Sequence, residues 1–330
     1  MRSGSGFAKI IGVLTSAFVL VALLGAWNAF AAEQSPDIPA WLAAHIGDGR
    51  GQIASPVLQR ARTLYLQKVS AGRVRNPCYF AMDATRPNDS PGRFYIVCEA
   101  QHAFRVISAG HGSGRDLDGA ANFSNERECA KNFGNAMDSD LTMGGAYVTD
   151  AAKTSFKGYY RVAANQDAAL MRTFIPFDGE GETANARERA IGGHAAVTLK
   201  NVCLKRELNS PYADRDGYVR FGQVVEYTGG RSDGCTSWSQ SDIQQILALV
   251  TGDPTTLYIY PSAADINAVA QAVAAGQSPV RAGLYWNSYC LSKIHAPRFW
   301  SSQSLEPIIA RYKREHPAPP PQPTPICPGQ

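Results

Sequence analysis

Hydrophobic and polar positions divide the chain into recognisable elements. Ser55-Pro56 is a helix start with Pro in the first turn, and Val57, Leu58, Ala61, Leu64 and Tyr65 then share one face until Gly72. Cys78–Asp83 and Arg93–Cys98 are rich in aromatic and β-branched residues and predict strands, joined by a turn-rich segment with Pro87-Asn88-Asp89 and Pro91-Gly92. A third strand through Phe104–Ile107 leads into the flexible loop Gly110-His111-Gly112-Ser113-Gly114. From Arg115 to Gly193, short apolar runs such as Gly145–Thr149 alternate with Gly, Asn and Asp, which predicts short strands and loops. Strand signals return at Ala195–Leu199 and Val219–Tyr227. Ile243, Ile246, Leu247 and Val250, behind a Ser241-x-x-Gln244 capping box, predict a helix soon after Cys235. Thr256–Tyr260 reads as a buried strand, and Ser262–Ala275 and Leu305–His316 as helices. The Pro-rich run Pro317–Pro328 predicts an extended tail, with Cys327 available to pin its end to the body. The expected class is mainly β with helical additions, without internal repeats. Its main domain runs over 55–262, between a lead-in at 32–54 and a helical extension at 263–316 with its tail at 317–330.

Composition narrows the function. Of 330 residues, 45% are apolar and 18% charged, the balance of a folded globular chain large enough to bury a core. The formal charge is +4, and two of those charges, Arg2 and Lys9, belong to an N-terminal stretch without acids. A remainder near +2 is too weak for a nucleic-acid binder. Arg2 and Lys9 precede the apolar run Ile10–Leu24, and Ala29-Phe30-Ala31 has the small-x-small pattern of a signal-peptidase site. Residues 1–31 are therefore expected to be a signal peptide cleaved near Ala31/Ala32, which leaves no membrane attachment. The alternative is an uncleaved anchor over Ile10–Ala26. Either way the body is exported, to the periplasm or cell envelope.

Export makes the cysteines informative. There are seven, at 78, 98, 129, 203, 235, 290 and 327, so in an oxidising compartment at least one lacks an intramolecular partner. None has C-x-x-C spacing, which argues against a zinc ribbon or a dithiol centre. The most pointed local signal is Gly229-Gly230-Arg231-Ser232-Asp233-Gly234-Cys235-Thr236, a tight polar turn presenting a cysteine just before a helix. Peptide N–H groups in such a turn lower a thiol pKa and bind an oxyanion. His194, in Ile191-Gly192-Gly193-His194-Ala195-Ala196-Val197, stands where a glycine-rich turn enters a strand and is the natural base for that sulfur. The bland reading makes Cys235 a buried or bridged thiol and His194 an ordinary strand residue.

The order of Cys78–Asp83, Ser108–Gly114, Phe123-Ser124-Asn125, Gly145–Thr149, Asn185–His194 and Arg231-Ser232-Asp233-Gly234-Cys235 resembles the murein L,D-transpeptidase catalytic-domain family, the YkuD-like fold, over roughly Ser55 to Ser262. The resemblance implies a β-rich domain in which Cys235 is the nucleophile and His194 the base. Ser232 and Gly234 shape the turn and oxyanion site, and Arg231, Ser124 and Asn125 contact substrate. It implies a peptidoglycan stem tetrapeptide acylating Cys235 at the L-centre of its diamino acid with loss of D-alanine. Transfer to an amine then makes a 3→3 cross-link, and no metal or organic cofactor is needed. Water as acceptor would make an L,D-carboxypeptidase or endopeptidase, and a closed site would make a non-catalytic wall-binding protein. The oxyanion donors are expected to be the Cys235 N–H and a neighbouring turn amide, with the Ala195 carbonyl or one near Gly193 orienting His194.

The chain departs from the family pattern at several points. Asp233 stands where His or an aromatic is usual, and its charge would raise the pKa of a nearby thiol, with Arg231 as an offset. Ala195 replaces a Gly, Thr236-Ser237 replace the usual continuation, and 41 positions separate His194 from Cys235. The extra residues, including Cys203 and Asn209–Gly217, are expected to form a lid or surface loop. Elsewhere, His111 is either a second proton carrier or substrate contact, or a turn residue with a local hydrogen bond. Its loop lacks the Gly-Lys-Ser/Thr of a phosphate loop, and His102 and His111 lack zinc-pair spacing. Asp178, Glu180 and Glu182 read as a solvated loop, Arg187 and Arg189 as partners of local acids, and Trp286 and Trp300 as packing for the C-terminal helices.

Overall fold

Strand β1 (Cys78–Asp83) is buried at every position, because both of its faces are covered. Tyr79 and Ala81 point to helix α1 (Ser55–Ser70), where Val57, Leu58, Ala61 and Leu64 meet them along with Leu42 and Ile53 of the lead-in. Cys78, Phe80 and Met82 point to the opposite face and a larger core. The period-2 side-chain alternation of a strand thus splits one continuous apolar run between two layers. A disulfide joins Cys78 to Cys98, its register partner on β2 (Phe94–Cys98). The computed structural model describes residues 37–86, 92–112, 114, 116–117, 121–122, 133–227, 232–278, 284–285 and 302–328.

The architecture is a mixed sheet of 11 strands with a few helices. After β3 (Ala103–Ile107) its strands are β4 (Gly145–Thr149), β5 (Lys153–Ala163), β6 (Gln166–Gly179), β7 (Gly192–Ala195), β8 (Val197–Arg206), β9 (Tyr218–Glu226), β10 (Thr236–Trp238) and β11 (Thr256–Tyr260). The spatial order is β8-β9-β5-β6-β4-β11-β1-β2-β3, and the short strand β7 pairs with both β6 and β10. This is the expected mainly β class with helical additions. Helix α2 (Gln240–Val250) lies between β10 and β11, and α3 (Ala263–Ala274) and α4 (Ser302–Glu315) follow β11. The apolar side of α2, through Ile243, Ile246 and Val250, joins the larger core. In α4, Leu305 and Ile309 pack on Ala136 and Leu141.

Three expectations need correction. The region after Arg115 does not stay in short strands: β5 and β6 form a long antiparallel hairpin. Polar residues such as Lys153, Ser155 and Lys157 interrupt its apolar pattern because much of the hairpin is not covered by core. The expected Ser241 box is displaced by Ser239, whose hydroxyl accepts from the Asp242 N–H at 3.0 Å, so the helix starts earlier. Between His194 and Cys235, Asn209–Gly217 do form a surface loop as expected, but Cys203 lies in the hairpin β8–β9, which extends the sheet and carries that loop as its tip. Cys203 on β8 is bonded to Cys327, and Leu204 bridges to Ile326, so the Pro-rich tail is pinned as anticipated. Among the described residues no helix is long and apolar enough to cross a membrane. Residues 1–31, the 87–91 turn, Trp286 and Trp300 lie outside the described residues.

Candidate functional site

Strand register assembles the site. Strand β7 runs parallel to β10 with His194 opposite Ser237, and antiparallel to β6 with His194 opposite Phe174. On β6, Arg172 is two residues from Phe174 and therefore on the same face, and Ser155 of β5 pairs with it. Cys235 immediately precedes β10 and shares the parity of Ser237. These alternations bring Ser155, Arg172, Phe174, His194 and Cys235 to one cavity of 530 Å³, completed by Lys157, Thr198, Tyr227, Ser232 and Asp233. Two chain segments 41 positions apart thus contribute an imidazole and a thiol to one pocket.

Small residues make the convergence sterically feasible. Gly193 lies against the indole of Trp238, and a Cβ there would come within 2.1 Å of the ring. Trp238 in turn meets Phe94 edge-on at 5.2 Å, which ties the His194 strand to the large core. Gly234 has φ +103°, a conformation L side chains rarely adopt. The Gly110–Gly112 loop packs directly on this turn: Gly110 bridges to Ser237, and a Cβ on Gly112 would come within 2.3 Å of Gly234 Cα. Thr142 locks the two together, its hydroxyl accepting from the Gly112 N–H at 2.8 Å and donating to the Gly234 carbonyl at 2.7 Å. Buried Arg93 holds the start of the same loop by donating to the Ala109 carbonyl at 2.7 Å.

Cys235 is the free cysteine among the described residues; Cys129 and Cys290 lie outside them. Its Sγ faces the Ala190 carbonyl at 3.6 Å. Burial pushes the thiol above its ordinary range, partly opposed by the Gly192 N–H facing the sulfur. Asp233 raises it further, as its inward position requires, whereas Arg172 and Arg189 lower it. The Cys235 N–H donates to no group among the described residues, which leaves it available to an oxyanion. Ser232 caps the turn by donating from its hydroxyl to the Cys235 carbonyl.

His194 is buried, and burial together with the Arg172 guanidinium pushes its pKa down to about 4. Its Nδ1 lies 2.9 Å from the Ala195 carbonyl, one of the orienting groups expected from sequence. Arg172 Nη2 is 2.8 Å from the same nitrogen, and Tyr227 Oη is 3.3 Å away. Sequence reasoning missed Arg172, Tyr227 and Lys157. Arg172 had a usable signal, since Leu170, Arg172 and Phe174 alternate on one strand face, and a cation within such a run points toward a pocket.

The remaining expected residues fall in different places. His111 is buried beside the Cys235 turn, its Nδ1 2.9 Å from the Gly112 carbonyl, and it does not line the cavity. Arg231, Ser124 and Asn125 lie outside the described residues. Arg187 does pair with local acids, Asp150 and Asp178. Arg189 instead hydrogen-bonds the Gly134 and Leu141 carbonyls and the Ser139 hydroxyl, bracing the wall behind Cys235. The acidic trio does not behave as one solvated loop. Asp178 pairs with Arg187, Glu180 pairs with Lys68 and Arg73, and burial raises the Glu182 pKa. Among the described residues no cluster of three or more His, Cys, Asp or Glu could hold a metal ion.

A thiol and an imidazole with an oriented ring thus line a partly cationic cleft, and the Cys235 amide has no acceptor among the described residues; thiol, imidazole and amide of this kind are groups that can serve as nucleophile, base and oxyanion donor. Compared with protein-family models, curated proteins and solved structures, the chain matches none.

Proposed function

We propose that this protein is a cysteine acyltransferase of the L,D-transpeptidase type, acting on peptidoglycan stem peptides outside the cytoplasm. The observation that carries the reading is the free Cys235 thiol opening into the same cavity as His194, in a domain whose described neighbouring cysteines are bridged. The disulfides fit an exported chain. The hairpin inserted between His194 and Cys235 extends the sheet and leaves a 530 Å³ cleft, which favours chemistry over a closed, purely binding site.

In the donor half-reaction, His194 Nε2 accepts the thiol proton as Cys235 Sγ attacks the carbonyl carbon at the L-centre of the diamino acid. The Cys235 N–H faces the developing oxyanion. The C–N bond to D-alanine breaks, and the imidazolium returns its proton to the departing amine, leaving a thioester. An acceptor amine then attacks the thioester, loses its proton to His194 and regenerates the thiol. The acceptor amine gives a 3→3 cross-link, while water in its place gives a tripeptide.

The test is incubation with tetrapeptide-containing muropeptides, followed by mass spectrometry of enzyme and products. A thioester adduct on the Cys235 peptide with 3→3 dimers is expected, and Cys235→Ser should lose both. Tripeptide monomers alone would reassign the acceptor to water. No adduct at all, in protein that still unfolds cooperatively, would overturn the acyl-enzyme reading.

A further inference from the structure

The surroundings of His194 contain a conflict that the acyl-transfer chemistry must resolve. A backbone carbonyl only accepts hydrogen bonds and a guanidinium only donates them. Nδ1 of His194 has one of each at bonding distance, the Ala195 carbonyl at 2.9 Å and Arg172 Nη2 at 2.8 Å. It can satisfy only one. If Nδ1 carries the proton, it donates to Ala195, Nε2 keeps its lone pair and the ring can act as base. If Nδ1 accepts from Arg172, the proton of the neutral ring sits on Nε2, which then cannot take a proton from sulfur.

Arg172 is free to respond to a ligand. Besides Nδ1 it touches the Tyr227 hydroxyl at 3.3 Å, while among the described residues its Nε and Nη1 have no hydrogen-bond acceptor and no carboxylate pairs with it. Lys157, also on the cavity wall, makes no ion pair among the described residues either. Among the described residues, the charged and titratable groups facing His194 in the cavity are these two cations, Asp233, the Tyr227 hydroxyl and the Cys235 thiol. One carboxylate against two cations leaves the cleft short of negative charge, which suits an anionic ligand.

We propose that Arg172 is a carboxylate-binding positioning residue: a substrate carboxylate draws its guanidinium off Nδ1, and the imidazole then adopts the tautomer that can deprotonate Cys235. The ligand class is a peptide bearing a free carboxylate. This inference rests on the acyl-transfer reading for its purpose but not for its measurement. It couples recognition to activation, since an unoccupied site holds its base with the proton on the wrong nitrogen.

Nitrogen-15 NMR of His194 tests it directly, with N-acetyl-D-alanine as probe and its uncharged amide as control. In the wild-type protein the proton is expected on Nε2 without ligand, to move to Nδ1 with the carboxylate and to stay with the amide. Arg172→Met should carry the proton on Nδ1 in all three samples. The same substitution should lower the ratio of iodoacetate to iodoacetamide reactivity at Cys235 about tenfold, the loss of one charge-assisted interaction. The Arg172→Lys variant should recover part of that ratio. An Nδ1 proton in the ligand-free wild type, or a response to the amide equal to that of the acid, would overturn the proposal without need of any variant. Failure of tetrapeptide to acylate Cys235 with the tautomer response intact would count against the acyl-transfer reading alone.

Discussion

In the ligand-free protein Cys235 and His194 should rest as a neutral pair. Burial lifts the thiol above its ordinary 9.0 and, with Arg172, drops the imidazole to about 4. Moving the proton from sulfur to nitrogen therefore crosses at least about five pKa units, or about 7 kcal/mol. Unit charges ~4 Å apart, with an effective dielectric constant of about 20, attract by about 4 kcal/mol, which is the most this pair can recover because Cys235 Sγ makes no hydrogen bond to His194. At least ~3 kcal/mol therefore remains, which leaves at most on the order of one molecule in a hundred as thiolate and imidazolium. The assay is alkylation of Cys235 by neutral iodoacetamide from pH 4 to pH 10, followed on the Cys235 peptide by mass spectrometry. The rate should climb along a single thiol titration with its midpoint above the ordinary value, with no shelf at neutral pH higher than about a hundredth of the maximum. A plateau of high reactivity between pH 5 and pH 8 would reveal a preformed ion pair and refute the burial argument.

The other predictions concern the scaffold of the site. Gly193→Ala forces a methyl into the Trp238 ring, and should cost about 1–3 kcal/mol in urea unfolding while suppressing acylation of Cys235. Thr142→Val orphans the buried Gly112 N–H and Gly234 carbonyl at about 1–3 kcal/mol each, and should increase hydrogen exchange in the Cys235 turn. Removing the disulfide that spans 124 residues, with Cys203→Ser and Cys327→Ser together, should cost up to about 5 kcal/mol in the chain-entropy account and leave Cys235 alkylation unchanged. Because His194 has a folded pKa of about 4 against 6.5 unfolded, the unfolded chain binds the extra proton between those values. Its contribution is present above pH 6.5 and is lost as pH falls to 4, by up to about 3 kcal/mol. Asp265, raised to about 6 by burial, acts in the opposite sense, so urea titrations at pH 7 and pH 4.5 are compared with His194→Gln to isolate the histidine.

Several elements were legible because their information is local. Helix α1 announces itself through Ser55-Pro56 and five apolar residues on one face, and β1, β2 and β11 through dense aromatic and β-branched runs. These segments bury what they display. The hairpin β5–β6 was less legible, because its polar residues face a cavity or solvent and blur the alternation on which a strand reading depends. The helix after Cys235 was seen, but its cap was read two residues late, since Ser239 and Ser241 offer the same chemistry.

The one-dimensional pattern by itself determined that the chain is mainly β with helical additions, that an odd cysteine needed explaining, and that Cys235 and His194 sit in glycine-rich turns able to expose them. Only the tertiary structure decided who their neighbours are. Arg172 reaches Nδ1 because β6 pairs with β7 in one register, and a shift by one residue would turn that guanidinium to the other face. Register is set by packing across the sheet, with Trp238 seated on Gly193 and Phe94 behind it, and such contacts link residues far apart in the chain. No window of sequence contains them, and the proton on His194 depends on them.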